Sequence, residues 1–167
     1  MLSKYRIYKE ASFSVYNRKL KESLNYINKN PRVSFGLDEA KEHHYGMLDD
    51  GINKFLAIGR EKLLTSNEIK IHGSHNIENI LATMAVAEQI GINKTQMIEA
   101  IKEFQGLPHR MQIIAEYNSV EFINDSKGTN IGAAIASVNS LDGPIILLAG
   151  GQGKGGDYKF FADSIHK

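Results

Sequence analysis

The sequence predicts an α/β protein built in two parts, and three observations carry that expectation. Residues 76–90 place Ile77, Ile80, Leu81, Met84 and Ala85 on one face at helical spacing. Residues 144–149 form a continuous apolar run, the pattern of a strand buried on both faces of a parallel sheet. Between them Gly106-Leu107-Pro108 breaks the periodic segments and reads as a linker. The expected parts are therefore residues 1–108 and residues 109–167.

Composition bounds what such a protein does. The chain has 167 residues, 42% of them hydrophobic, enough to bury a core. Lys and Arg total 20 and Asp and Glu total 19, so there is no basic surplus for a nucleic-acid partner. With no cysteine, disulfides and thiolate metal sites are excluded. No apolar run approaches the roughly 20 residues of a membrane span. The charged N-terminal stretch has no signal-peptide pattern, so the expected location is the cytoplasm.

In chain order, residues 1–10 read as the end of a polar helix and residues 12–17 as a short alternating strand. Leu20, Leu24 and Ile27 stand at helical spacing, and residues 33–37 suggest a second strand. Residues 45–73 read as a small β-meander. Its signals are the Asp50-Gly51 turn and strand-like runs at 55–59 and 69–72. Gly91 is expected to end the long helix, and Thr95 to cap a second one that faces Met97, Ile98, Ile101 and Phe104 inward. Two strands within residues 111–123 are joined at Tyr117-Asn118-Ser119. A polar loop, an Ala-rich helix over 131–141, the apolar run, a glycine loop and a helix from Tyr158 then follow. That order opens a doubly wound α/β domain.

Four strings could carry chemistry. Gly150-Gly-Gln-Gly-Lys154-Gly-Gly-Asp157 joins an expected strand to an expected helix, where backbone N–H groups favour an anion and Lys154 adds a charge. Lys154 is followed by Gly155 rather than Ser or Thr, so this is not a Walker A loop; it reads equally as a surface turn. In Asn124-Asp125-Ser126-Lys127-Gly128-Thr129-Asn130, an extended backbone would put Asp125, Lys127 and Thr129 on one face. The same residues also suit helix capping. His109 and Arg110 follow the linker; Arg grips phosphate by a bidentate fork, and a solvated basic pair is the plainer alternative. Asn76 and Asn79 lie one turn apart at a helix start, where two carboxamides can read a base edge or simply cap and face solvent. His43 and His44, adjacent, would point to opposite sides of a strand, and the remaining histidines show no metal spacing.

In this order and spacing, the four strings resemble the Mur ligase family of bacterial cell-wall synthesis, and within it the members that add D-glutamate. Lys4-Tyr5-Arg6-Ile7-Tyr8 is similar to the segment bearing that family's active-site lysine, so the resemblance covers nearly the whole chain. It implies ATP and Mg2+ as cofactors and UDP-N-acetylmuramoyl-L-alanine and D-glutamate as substrates. It further implies an acyl-phosphate intermediate and a monomeric enzyme. Residues 1–108 would be the later part of a central ATPase domain, and 109–167 the first half of a Rossmann-like C-terminal domain. By the same resemblance Lys4 would be carbamylated and help to hold magnesium. Asn76 and Asn79 would meet the adenine. His109, Arg110 and Asp125 would surround the nucleotide, with Asp125 at the ribose and Arg110 near the phosphates. Lys127, Thr129 and Lys154 would face the amino acid, and Lys4, Arg110 and Lys127 would be catalytic.

The family's Gly-x-x-Gly-Lys-Thr loop does not occur in the sequence, and neither does the histidine-containing metal segment that precedes the lysine. The chain is therefore expected to start inside a helix, to stop inside an unfinished domain and to lack ligase activity by itself. A sibling amide ligase, such as another Mur ligase or a folylpolyglutamate synthase, and a non-catalytic nucleotide-binding module are the alternatives.

Overall fold

A computed structural model describes residues 3–27, 31–71, 73–152 and 158–165. The fold is mixed α/β, with three small sheets among the described residues. Two compact units divide the chain. The first comprises Met1–Lys70 and Asn76–Phe104, the second Ile71–His75 and Gln105–Lys167.

The first unit opens with a 3-10 helix, Lys4–Tyr8, whose Tyr5 is buried and stacks on Tyr26 at 4.8 Å between ring centroids. Strands β1 (Ser14–Asn17) and β2 (Arg32–Phe35) pair in parallel. The segment between them folds as a 3-10 helix, Lys21–Asn25, rather than the α-helix that its spacing suggested. Leu20 and Leu24 stay largely exposed there, while Ile27 and Ser23 are buried. Three residues per turn rotate the face by more per step than an α-helix does, so the α spacing no longer selects one side.

Strands β3 (Tyr45–Asp49), β4 (Lys54–Ile58) and β5 (Glu61–Thr65) form the expected antiparallel meander. At its first turn the Asp50 carboxylate accepts the Ile52 and Asn53 N–H groups, and Gly51 has φ +85°. The third strand is Glu61–Thr65, not the expected 69–72; Ile69 and Ile71 lie outside strands, and His72 lies outside the described residues. Glu61-Lys62 hid the strand, because two charged residues on an exposed stretch mask the alternation. His43 and His44 lie in a turn closed by His44 N–H on the Lys41 carbonyl at 2.8 Å, so strand alternation does not apply to them.

Arg18 ties these strands together. Its Nη2 and Nε reach Asp38 at 2.6 and 3.0 Å, and its Nη1 donates to the Tyr45 carbonyl at 2.7 Å and to Ser34 Oγ at 3.1 Å. The fork pulls the Asp38 carboxyl below its ordinary range, chiefly through these hydrogen bonds.

Helix α1 (Ser74–Gln89) buries Ile80, Leu81, Met84, Ala85 and Ala87, each larger apolar side chain worth roughly 1.5–3 kcal/mol of burial. Tyr45 of β3 is fully enclosed and donates its hydroxyl to Glu88 of α1 at 3.0 Å. Gly91, at φ +79°, ends the helix as expected. Helix α2 (Lys94–Glu103) is capped by Asn93, not Thr95: Asn93 Oδ1 accepts the Thr95 and Gln96 N–H groups. Met97 is buried, whereas Phe104 is 42% exposed, because the helix stops at Glu103 and Phe104 leaves its face. Lys94 and Lys102 pin α2 to Glu61 and Glu68 at 2.7 and 2.6 Å.

The second unit contains the hairpin β6 (Gln112–Tyr117) and β7 (Val120–Asn124), turned at Asn118 and Ser119, both with positive φ as a type I′ turn requires. Helix α3 (Ile131–Val138) is capped by Asn130 Oδ1 on the Ala133 N–H at 2.9 Å. Helix α4 (Tyr158–Ile165) closes the described residues. The apolar run at 144–149 is not a buried strand. Among the described residues no strand pairs with it, and Ile146 and Leu148 are each 93% exposed, against 39% for Ile145 and 41% for Leu147. That two-residue alternation marks an extended backbone with one face half covered. An apolar run supplies the side chains of an inner strand but not the neighbours that make it one.

Candidate functional site

The hairpin holds the site. The segment before β6 folds back against the end of β7 and the loop after it; three hydrogen bonds close the fold and a fourth braces its first segment. Met111 N–H donates to Asp125 Oδ1 at 3.1 Å, and Lys127 N–H to the His109 carbonyl at 3.1 Å. His109 N–H donates to Gln112 Oε1 at 2.9 Å, and the Asn124 amide meets His109 Nδ1 at 3.0 Å. His109 and Met111 both adopt the left-handed region, φ +65° and +46°. Non-glycine residues held there carry strain that the surrounding bonds must offset, a state concentrated at functional loops.

Asp125 is half-buried and anchored at both oxygens. Its Oδ2 accepts the Ser137 hydroxyl from α3 at 2.6 Å, while Oδ1 takes the Met111 N–H. A carboxylate has about four lone-pair sites, so Asp125 keeps acceptor capacity for a ligand hydroxyl. Lys127 and Thr129 are exposed and follow it in the chain, and His109 and Arg110 are exposed in the segment hydrogen-bonded to this loop. The arrangement offers one fixed acceptor, an imidazole and two cations to a polar, anionic ligand.

Asp125, Lys127 and Thr129 do not share the face of an extended segment. The chain turns at once after Asp125: Gly128 N–H donates to the Asp125 carbonyl at 2.8 Å and Thr129 N–H to the Lys127 carbonyl at 2.8 Å. Ser126 and Gly128 favour the turn over extension. Asp125 is not the helix cap either; Asn130 is.

The other candidates lie elsewhere. Asn76, half-buried, and Asn79, exposed, are in the first turns of α1, and the Asn79 carbonyl accepts the Thr83 hydroxyl at 2.8 Å. Lys4 opens the first 3-10 helix with its side chain exposed. Lys154 lies outside the described residues, as does most of its glycine loop. Sequence reasoning missed Asn124, Gln112 and Ser137. Asn124 stood in a quoted string, but its partner is 15 positions away; Ser137 is one polar residue in an Ala-rich helix, a signal that the i+4 spacing from Ala133 does not distinguish.

No protein-family model matches the chain. Individual relatives do. The UDP-N-acetylmuramoylalanine–D-glutamate ligase of Acinetobacter baylyi is 39% identical over 99% of this chain and 39% of its own length. The enzyme of the same name from Legionella pneumophila is 39% identical over 98% of the chain and 38% of its length. That of Aliivibrio salmonicida is 33% identical over 99% and 37%. Along nearly its whole length the chain is therefore similar to these UDP-N-acetylmuramoylalanine–D-glutamate ligases, of which it spans a little over a third.

Proposed function

We propose that the protein serves ATP-dependent addition of D-glutamate to UDP-N-acetylmuramoyl-L-alanine in peptidoglycan synthesis, through an acyl phosphate. The observation that carries this reading is identity of 33–39% along 98–99% of the chain to ligases of that name. The anchored carboxylate at Asp125 supports it, because ribose hydroxyls suit an acceptor with spare lone pairs. In this reading Asp125 receives the ribose, and His109 and Arg110 meet the phosphates. Asn76 and Asn79 recognise the adenine edge. Lys127, Thr129 and Lys154 receive D-glutamate, with Arg110 and Lys127 stabilising developing charge. Residues 1–108 then belong to an ATPase domain, and 109–167 to a Rossmann-like domain.

The donor set around Asp125 fits a nucleotide. Magnesium is different. Among the described residues no group of three or more His, Asp or Glu could hold a metal ion. A carbamate on Lys4 would supply one oxygen to a hard cation, and magnesium completes its octahedral set largely with waters and substrate phosphates. No helix among the described residues is long and apolar enough to cross a membrane.

Calorimetric titration of the 167-residue chain with ATP tests the nucleotide part. Binding that weakens about tenfold in Asp125→Asn is expected, since that change removes a charged acceptor. Unchanged affinity would remove Asp125 from the site. The ligase reading is tested in the protein carrying every segment that its relatives carry. ADP release should require both UDP-N-acetylmuramoyl-L-alanine and D-glutamate, and release that answers instead to another amino acid would reassign the substrate. The 167-residue chain is expected to show no turnover.

A further inference from the structure

The Asn124 carboxamide lies between two groups, and one of them has a fixed polarity. Asn124 Oδ1 accepts the Ser126 N–H at 3.1 Å. A backbone N–H only donates, so this bond determines which end of the amide is oxygen. The NH2 end then faces His109 Nδ1 at 3.0 Å. An amide nitrogen only donates, so Nδ1 accepts and carries no proton. In a neutral imidazole the proton is then on Nε2. The ring's backbone is fixed as well, by His109 N–H on Gln112 Oε1 and by Lys127 N–H on the His109 carbonyl. His109 is exposed, and its Nε2 has no partner among the described residues.

We propose that Asn124 is a positioning residue that holds His109 in the Nε2–H tautomer, so that a neutral imidazole presents one directed N–H to an oxygen of the bound nucleotide. The ligand's identity rests on the nucleotide reading above; the tautomer does not. A free imidazole divides between two tautomers, and the one with Nε2 bare would turn a lone pair toward an anionic oxygen. Asn124 removes that second form before the ligand arrives. The general principle is preorganisation: a donor already aimed costs no reorganisation on binding.

Asn124→Asp tests this directly. The carboxylate still accepts the Ser126 N–H, so the turn is kept, but it can only accept from the imidazole. His109 should then switch to the Nδ1–H form. Long-range proton–nitrogen correlation spectra of the 15N-labelled chain, recorded at about pH 8.5 where imidazoles are neutral, distinguish the two nitrogens. His109→Gln assigns the signals. The expected result is an unprotonated Nδ1 and a protonated Nε2 in the parent chain, reversed in Asn124→Asp and mixed in Asn124→Leu. A mixed population in the parent chain, or no change in Asn124→Asp, overturns the tautomer lock.

The same three proteins are then titrated with ATP. Affinity should fall about tenfold or more in Asn124→Asp and a few-fold in the uncharged Asn124→Leu. A reversed tautomer with unchanged ATP affinity overturns the presenting role. If the parent chain binds no ATP while its tautomer is as stated, the nucleotide reading fails and the positioning by Asn124 stands on the spectra alone.

Discussion

In the first compact unit Tyr45, Leu56, Leu81 and Met84 are fully enclosed; in the second Ile146 and Leu148 are 93% exposed, and Ile114, Tyr117, Val120 and Phe122 are each about half exposed or more. Among the described residues, every apolar residue in the buried core lies in the first unit. The second unit is held differently, by hairpin hydrogen bonds, caps and the clasp around Asp125. The difference teaches where each unit's order comes from. Burial gives the first unit a cooperative core. Hydrogen bonds give the second its local geometry, each worth only about 1 kcal/mol net. The candidate site stands on the second kind of support, and low local stability is common where ligands bind.

The largest test of this contrast is truncation on each side. Leu81→Ala should lower stability by about 2–5 kcal/mol in urea denaturation, the usual cost of a cavity in a closed core. Leu148→Ala should change it by less than about 0.5 kcal/mol. Equal effects would mean that the two units are not supported differently. Next comes Gly46→Ala. Gly46 lies on β3 with the backbone of residues 38–40 against it, and a Cβ there would sit 2.7 Å from Ala40 Cα, Ala40 N and the Asp38 carbonyl oxygen. Backbone cannot yield cheaply, so a loss of about 3 kcal/mol is expected, and a neutral result would show that the 38–40 segment is loosely held.

A smaller effect is expected from Tyr45→Phe, which keeps the packed ring and removes the hydroxyl bond to Glu88. The loss should be about 1 kcal/mol in the same denaturation experiment. Tyr45 titrates well above the ordinary tyrosine range, through burial first and the Glu88 charge second. No alkaline transition from this ring is therefore expected before the chain's other tyrosines ionise.

The smallest effects are those of acid. His44 Nδ1 accepts the Ser34 N–H at 2.9 Å, and burial, then the charge of Arg18, holds its pKa below 6.5. The unfolded chain thus binds this proton more readily. Its contribution is complete above about pH 6.5 and is lost as pH falls through the lowered folded value. Glu68 follows at lower pH. Lys102 first, then Thr65, holds its carboxyl at about 2 against an ordinary 4.5, so its contribution is present above pH 4.5 and lost as pH falls toward 2. Acid titration of stability should lose its upper step in His44→Gln and its lower step in Glu68→Gln. A profile unchanged by either substitution would place the acid sensitivity elsewhere.

Much of the local order was legible. The α1 face, the stop at Gly91, the Asp50-Gly51 turn and the hairpin at Asn118-Ser119 all depend on residues a few positions apart. Caps were harder, since Asn93 and Thr95 are both competent and only the backbone at Asn93 leaves the helical region. The strings around His109 and Asp125 were legible as polar and anion-seeking, but their clasp was not.

The sequence by itself determined the mixed α/β class, the strong helix, the turns and the similarity to a set of ligases, because each is written in near neighbours or in the order of strings along the chain. Only the tertiary structure decided that β1 and β2 run parallel, that Glu61–Thr65 is the third strand of its sheet and that the run at 144–149 pairs with no strand among the described residues. Pairing and burial are properties of what lies across a gap, and residues far apart in the chain supply it. The same reason puts Asn124 against His109: 15 positions separate them, and only the fold closes the distance to 3.0 Å.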